Sequence, residues 1–350
     1  MANCVFEEDI EQLSLNEFIP WCDMQGASVL ITGATGLIGS ALVRALRAAD
    51  KMHDLNLRII GIGRNSQMGE KLTKKHGMDV FIKSDIRVPL LKKMQHQTLD
   101  YIFHCASITQ SSEMISKPVD VITTAVDGTR NTLELAKAKN CKSFVYLSSM
   151  EVYGQTDLNE VNETNLGYWD LAQIRTCYPE SKRLCENLCT AYYGQYSTPA
   201  KIARLSLTFG AGVAHESNDS RVAIQFARKA LLGEDIELHT LGNSVINCCY
   251  TADAIAGLLL LLLKGKNGEA YNIANPAATA TVREMAEIAA SEVSGGKVNV
   301  VTKIADHLAT NGYAPDSGFA LNVDKLKSLG WQSRYGIADM FRRMVADWED

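Results

Sequence analysis

The chain has 350 residues, 46% of them apolar and 21% charged, with a formal net charge of −5. Those proportions exclude a disordered or fibrous chain, and an acidic balance with no basic stripe argues against a nucleic-acid binder. The length suits one large α/β unit or two modest domains, because single cores stop growing near ~250–300 residues.

The opening MANCVFEEDIEQLSLN has several acidic side chains and no basic one, which does not fit a secretory leader or a transit peptide. Residues 1–26 are read as an N-terminal extension, with Phe18, Ile19 and Trp21 in a helix docked on the body. Alternation then begins: a strand at Ser28–Thr32, a helix at Leu37–Ala49, a strand at Leu57–Ile62, a helix at Met68–His76 and a strand at Val80–Lys83. Tyr101–Ala106 is a further strand and Asp120–Lys139 a long helix. Ser143–Ser148, Leu171–Tyr193 and Ala200–Ser206 read as strand, long helix and strand. Continuous apolar strands separated by helices indicate a parallel sheet covered on both faces, an α/β fold of the Rossmann-type, doubly wound kind.

After Phe209 the rhythm loosens. A loop at Gly210–Asn218 leads to a helix at Arg221–Leu232, strands at Ile236–Leu241 and Val245–Tyr250, and a helix at Asp253–Leu263. A strand at Ala270–Ile273, a helix at Val282–Val293 and a tail of short elements follow. The expected division is a dinucleotide-binding domain over 27–208, completed near 245–264, with a smaller C-terminal substrate-binding part from 209–244 and 265–350. The longest apolar run, Ala254–Leu263, falls well short of the roughly 20 residues a membrane span needs, so no membrane contact is expected. The nine cysteines are odd in number and form no CxxC pair, so no metal site is signalled, and free thiols in a reducing cytoplasm are expected.

The first strand runs into Thr32-Gly33-Ala34-Thr35-Gly36-Leu37-Ile38-Gly39, a GxxGxxG turn opening a helix. Glycines there permit the tight turn and close approach of a pyrophosphate, and the helix N-terminus offers unpaired N–H groups. Cofactor contacts are therefore expected from Gly33, Thr35, Gly36, Leu37, Ile38 and Gly39. The second strand ends Gly61-Ile62-Gly63-Arg64-Asn65, without the carboxylate that usually takes the ribose of NAD. Arg64 is open to three readings: a partner for the 2′-phosphate of NADP, a platform stacked on adenine, or an exposed strand-end arginine. Asp85 and Ile86 are candidates for the adenine edge and face.

Tyr178 and Lys182, four apart on a helix, share a face, so the ammonium can stabilise a tyrosinate. Ser148 and Ser149 end a predicted parallel strand, where the ligands of such sheets bind, and a serine hydroxyl there can hold a substrate oxygen. His104 is read as a packed ring, Cys248 and Cys249 as buried structural thiols, and the leucine run at 258–263 as core.

TGATGLIGS, YIFHCAS, VDGTRNTLELA, FVYLSSMEVYG and YPESK, in this order and spacing, resemble the extended short-chain dehydrogenase/reductase superfamily over roughly 27–345. Within it the chain resembles the nucleotide-sugar epimerase/dehydratase branch. Ile174–Arg183 (IRTCYPESKR) and His215–Val222 (HESNDSRV) are most similar to UDP-glucuronate decarboxylases. The resemblance implies a tightly bound NAD(P) cofactor, NAD+ in most of the family, contacted also by Ala106, Ser107, Tyr178 and Lys182. It implies catalysis by Ser149, Tyr178 and Lys182, a nucleotide-diphosphate sugar held by Ser149, Met150, Arg175 and Arg221, and a homodimer.

Three positions depart from that pattern. Met150 stands where dehydratases carry the acid that protonates a leaving hydroxyl, while Glu151 remains as a candidate base. Leu207 replaces a substrate-contacting Asn, and Ile246 replaces an Arg; Asp253 and Arg221 are as the family has them. The implied chemistry passes through a 4-keto sugar. Decarboxylation of a UDP-uronic acid is ranked first, 4-epimerisation second and elimination third, with NADPH-dependent keto-sugar reduction as a further outcome. A non-catalytic cofactor-binding protein is disfavoured, because the Ser–Tyr–Lys set is intact.

Overall fold

The structure, a computed structural model, describes residues 4–215, 221–304 and 318–349. Helix α1 (Val5–Ser14) precedes β1 (Ser28–Thr32), and α2 (Leu37–His53) returns the chain to β2 (Arg58–Gly63). Next come α3 (Ser66–His76), β3 (Val80–Lys83), β4 (Tyr101–His104), α4 (Ser111–Ser116), α5 (Pro118–Ala138) and β5 (Ser143–Ser149). The short β6 (Glu160–Val161) and α6 (Cys177–Tyr196) lead to β7 (Ala200–Leu205) and β8 (Leu207–Phe209). After α7 (Val222–Leu232) come β9 (Ile236–Leu238), β10 (Val245–Tyr250), α8 (Thr251–Lys264) and β11 (Ala270–Ile273). The chain closes with β12 (Thr279–Thr281), α9 (Val282–Ser294), β13 (Val300–Thr302), β14 (Ala320–Leu321), α10 (Asp324–Lys327) and α11 (Ile337–Glu349).

Seven strands form one sheet in the order β11-β7-β5-β4-β1-β2-β3, and every pair in it is parallel. The order reverses between β1 and β4, which opens a crevice beyond the carboxyl ends of those strands, the place where such sheets bind ligands. Successive side chains alternate between two buried faces. Val29, Ile31, Ile59, Phe103 and Val145 enter the core shared with α2 and α8, while Leu30, Ile60, Ile102 and Phe144 enter the one shared with α5 and α6. Both faces being covered is why these strands read as unbroken apolar runs.

Three expectations are corrected. The strand that completes the sheet is β11; Val245–Tyr250 instead lies in a separate three-stranded sheet with β8 and β12. Helix α8 packs on β5 and β7 and delivers β11 to the open edge of β7, so the strand preceding the helix is left outside. The helix expected from Leu171 begins at Cys177, after a 3₁₀ turn at Ile174–Thr176. Pro179 lacks an N–H and is tolerated only in a first turn, which fixes the start. In the extension the helix is Val5–Ser14, and buried Ile19 and Trp21 follow it rather than belong to it. Among the described residues no helix is long and apolar enough to cross a membrane. All nine cysteines are unpaired.

Candidate active site

The glycine turn is built from three different constraints. Gly33 has φ +66°, and a Cβ on it would lie 2.8 Å from the Ala106 nitrogen. A Cβ on Gly39 would lie 2.2 Å from the Gly33 carbonyl oxygen. Both glycines are required by the protein itself. Gly36 is different: its φ is −83°, and the nearest atom to a Cβ is the Gly33 oxygen at 3.4 Å. It is exposed, and no side chain caps the helix it opens. The open side of Gly36 and the uncapped N-terminus of α2 form a cradle that a side chain would fill, and they fit a dinucleotide pyrophosphate.

Around that turn, Thr35 lies beside Gly63, at whose Cβ position its Oγ1 is 3.2 Å away. Ala106, half-buried like Ser107, donates its N–H to Thr32 Oγ1 at 3.3 Å. Arg64 is exposed at the end of β2, and Asn65 beside it uses its side-chain oxygen to cap α3. The Asp85 carboxylate is engaged by Arg87, with Nη2 2.8 Å away, and that hydrogen bonding holds it below the usual carboxylate range. Ile86 is buried, its carbonyl bonded by Asn131 Nδ2 at 3.1 Å. His104 meets Thr32 Oγ1 at 2.7 Å through Nδ1 and Thr129 Oγ1 at 3.2 Å through Nε2. Burial pulls its pKa down to about 3, so it is a neutral packed ring, as expected.

Strand β5 delivers Ser149 to the crevice, and the Ser149 hydroxyl accepts the Glu151 N–H at 3.2 Å, capping the 3₁₀ turn Met150–Tyr153. From α6, Tyr178 and Lys182 enter the same place, both buried. Lys182 donates from Nζ to the Leu147 carbonyl at 2.7 Å, and Nζ lies 5.7 Å from the centre of the Tyr178 ring. Burial brings its pKa down to about 8. Burial, and then the charge of Glu151, push the Tyr178 phenol well above its ordinary value. Opposing them are a hydrogen bond from Ser149 and the charge of Arg175.

Arg175 sits in the 3₁₀ turn before α6 and is 9% exposed. Its Nη2 donates to Glu151 Oε1 at 3.0 Å and lies 2.9 Å from Oε2. Its Nε and Nη1 are buried and have no hydrogen-bond partner among the described residues. A buried donor left without an acceptor is costly, and a guanidinium presents such donors in a fork that matches a carboxylate. Ser149, Glu151, Arg175, Tyr178 and Lys182 are thus brought together. Arg221 donates from Nη1 to the Thr208 carbonyl. Of the HESNDSRV segment, residues 216–220 lie outside the described residues.

Met150 is half-buried against the main core. Leu207 and Ile246 are strand residues, paired with Cys248 and Ala280. Buried Asp253 accepts the Arg334 N–H at 2.8 Å and anchors the C-terminal tail. Sequence reasoning missed the residues behind the serine turn. Arg183 donates to the Val152 carbonyl at 2.8 Å and the Gly167 carbonyl at 2.7 Å, and Trp169 donates to the Glu151 carbonyl at 2.9 Å. No spacing rule marks them, because each reaches backbone across a loop. Glu186 was legible as the i+4 neighbour of Lys182; it accepts from Ser148 at 2.6 Å and pairs with Arg204 at 2.7 Å.

Comparison with known proteins gives the family of the chain. UDP-glucuronic acid decarboxylase 3 of Arabidopsis thaliana is 29% identical over 324 residues, covering 91% of this chain and 88% of that protein. UDP-glucuronic acid decarboxylase 5 of the same plant is 32% identical over 263 residues, covering 74% of this chain and 72% of that protein. In three dimensions the chain is similar to a UDP-glucose 4-epimerase from Thermotoga maritima, with TM-score 0.78, 20% identity and coverage of 92% and 98% of the two chains. A dTDP-glucose 4,6-dehydratase from Streptomyces venezuelae gives TM-score 0.76 at 24% identity, with 92% and 97% covered. The profile of the NAD dependent epimerase/dehydratase family matches residues 29–274, and the chain belongs to that family, as an enzyme of the extended short-chain dehydrogenase/reductase type.

Proposed function

We propose that the enzyme decarboxylates a UDP-uronic acid through a 4-keto intermediate. The observation that carries this reading is Arg175, a buried guanidinium beside Glu151 and Tyr178 with two donor atoms unused among the described residues. Such donors suit the C6 carboxylate of a uronic acid and have no counterpart on a neutral hexose. Relatives similar in sequence, the two Arabidopsis proteins above, are named for the same reaction.

The roles follow from position. Tyr178, once deprotonated, takes the proton of the C4 hydroxyl, and Ser149 orients that oxygen. A nicotinamide held beside Tyr178 and Lys182 would supply reversible hydride transfer at C4, so the net redox change would be zero. Arg175 holds the carboxylate, which lies β to the new ketone; as the C5–C6 bond breaks, its electrons pass to the C4 oxygen that Ser149 and Tyr178 hold. A proton must then be placed on C5, and Glu151 is the acid/base group closest to Arg175. Elimination would need an additional acid at the C6 oxygen, which the Met150 thioether cannot be. Gly33, Gly36 and the first residues of α2 would hold the pyrophosphate. At the adenosine end, exposed Arg64 would pair with a 2′-phosphate, so NADP stands beside NAD as the candidate cofactor; the mass of the released cofactor decides between them. Exposed Val119 and Ile122 on α5 and Leu184 on α6 support a homodimer, which light scattering tests.

The test is to offer UDP-glucuronate, UDP-galacturonate and UDP-glucose and to trap CO2. Release of CO2 from a uronate by the wild type, lost in Arg175→Met, is the expected result. Turnover of UDP-glucose alone would overturn the reading.

A further inference from the structure

Glu186 takes no part in the chemistry above, yet it is a buried carboxylate, 7% exposed, and its partners surround the serine turn. Arg204 of β7, also buried, engages it with Nη2 at 2.7 Å from Oε2 and Nε at 3.0 Å from Oε1. Oε1 also accepts the Ser148 hydroxyl at 2.6 Å. On its other side the Arg204 guanidinium donates from Nη1 to the Tyr153 hydroxyl at 3.0 Å and to the Glu163 carbonyl at 2.8 Å. Tyr153 in turn donates to Asn272 Oδ1 of β11 at 2.6 Å. Ser148 and Tyr153 bracket the segment that carries Ser149, Met150 and Glu151, so one guanidinium–carboxylate pair grips that segment at both ends.

Glu186 also belongs to the helix that carries the other half of the site. Tyr178, Lys182 and Glu186 stand at i, i+4 and i+8 on α6, along one face. A buried ion pair returns little net stability, because desolvating two charges offsets their attraction; what it supplies well is fixed geometry. Strand β5 is extended through Ser149, with φ −144° and ψ 152°, so a hydroxyl anchored at 148 sets the direction in which 149 leaves the strand. We propose that Glu186 and Arg204 are positioning residues for the reaction, holding the Ser149–Glu151 segment at the distance from α6 that lets Ser149 and Tyr178 share one substrate oxygen. This rests on the reading that those two hydroxyls hold the C4 oxygen. A pair that served only to join α6 to β7 would be complete without Ser148 and Tyr153.

The experiment uses the full chain with its resident cofactor and UDP-glucuronate. Ser148→Ala and Tyr153→Phe each release one end of the grip and leave the Glu186–Arg204 pair in place. Ser143→Ala is the control: it removes a buried hydroxyl from the other end of β5, where it donates to the Leu262 carbonyl at 2.7 Å. Turnover, cofactor content and the pH dependence of nicotinamide reduction are measured for each. A misplacement of about 1 Å can cost about 10²-fold, so Ser148→Ala and Tyr153→Phe should lower kcat by about tenfold or more, with KM and cofactor content held. Because the Ser149 hydrogen bond lowers the Tyr178 pKa, the acid limb should also move to higher pH. Tyr178 also faces Glu151, Arg175, Lys182 and Tyr146, and these variants keep all four. Ser143→Ala should lose stability and change neither kcat nor the limb. Wild-type kcat in either Ser148→Ala or Tyr153→Phe, a kcat loss without the limb shift, or an equal kcat loss in Ser143→Ala overturns the proposal alone. A wild type that does not convert UDP-glucuronate overturns the reading of the site and this proposal with it.

Discussion

Gly36→Val separates a glycine kept for a ligand from one kept for the fold. At Gly36 the backbone has φ −83° and a Cβ would meet nothing closer than the Gly33 oxygen at 3.4 Å, so valine enters without strain. Its cost to folding is that of a poor N-cap, about 1 kcal/mol, which for a chain this long lowers Tm by roughly 2 °C. Binding is another matter, because the isopropyl group fills the space over the α2 N-terminus. Losing two charge-assisted hydrogen bonds at about 1.5–3 kcal/mol each weakens the cofactor by about 10²–10⁴-fold. Gly39→Ala is the contrast: its Cβ would lie 2.2 Å from the Gly33 oxygen, so the turn itself must move, with a stability loss of about 1–3 kcal/mol. The assay is nicotinamide released from purified protein on denaturation, beside thermal melting of each variant. A Gly36→Val protein with normal nicotinamide content, or one destabilised as much as Gly39→Ala, would show that Gly36 is not kept for a ligand.

Tyr178→Phe keeps the ring in its apolar site, so melting should hardly change while turnover falls by about 10²-fold or more. Glu151 raises the Tyr178 pKa and Arg175 lowers it, so the two removals should act oppositely on the acid limb of cofactor reduction. Glu151→Gln should move that limb to lower pH and Arg175→Met to higher pH; shifts in the same direction would contradict the pairing. His104 is held at about 3 in the fold against an ordinary 6.5, so the unfolded chain binds its proton first as pH falls and stability drops below pH 6.5. Between pH 7 and 5 that loss is about 2 kcal/mol, and His104→Gln should remove it from urea-unfolding midpoints, leaving the share of His76, which burial lowers to about 4.

The parallel sheet and the glycine turn were legible because both are local. Period-two burial on two faces writes unbroken apolar runs such as Ser28–Thr32 and Ser143–Ser149, and a strand–turn–helix needs its glycines at fixed offsets. The Tyr178–Lys182 face was legible for the same reason. Less so was anything decided by contacts distant in the chain. The choice of β11 over β10 for the sheet edge depends on where α8 docks, not on either strand's composition. Arg175 was visible as a cation near the tyrosine, but its pairing with Glu151 depends on how the loop between them folds. The extension read as an appendage because its partners, Tyr250, Arg343 and Asp347, lie hundreds of residues away.

The most direct measurement of the central claim is NMR of UDP-glucuronate incubated with the purified enzyme and NAD+ in D2O. The expected product is a UDP-pentose with deuterium at C5 and hydrogen retained at C4, together with one CO2 for each sugar converted, because C5 is protonated from solvent while the C4 hydride returns within the site. UDP-galacturonate formed with no CO2, or no conversion of the uronate beside turnover of a neutral nucleotide hexose, would contradict it.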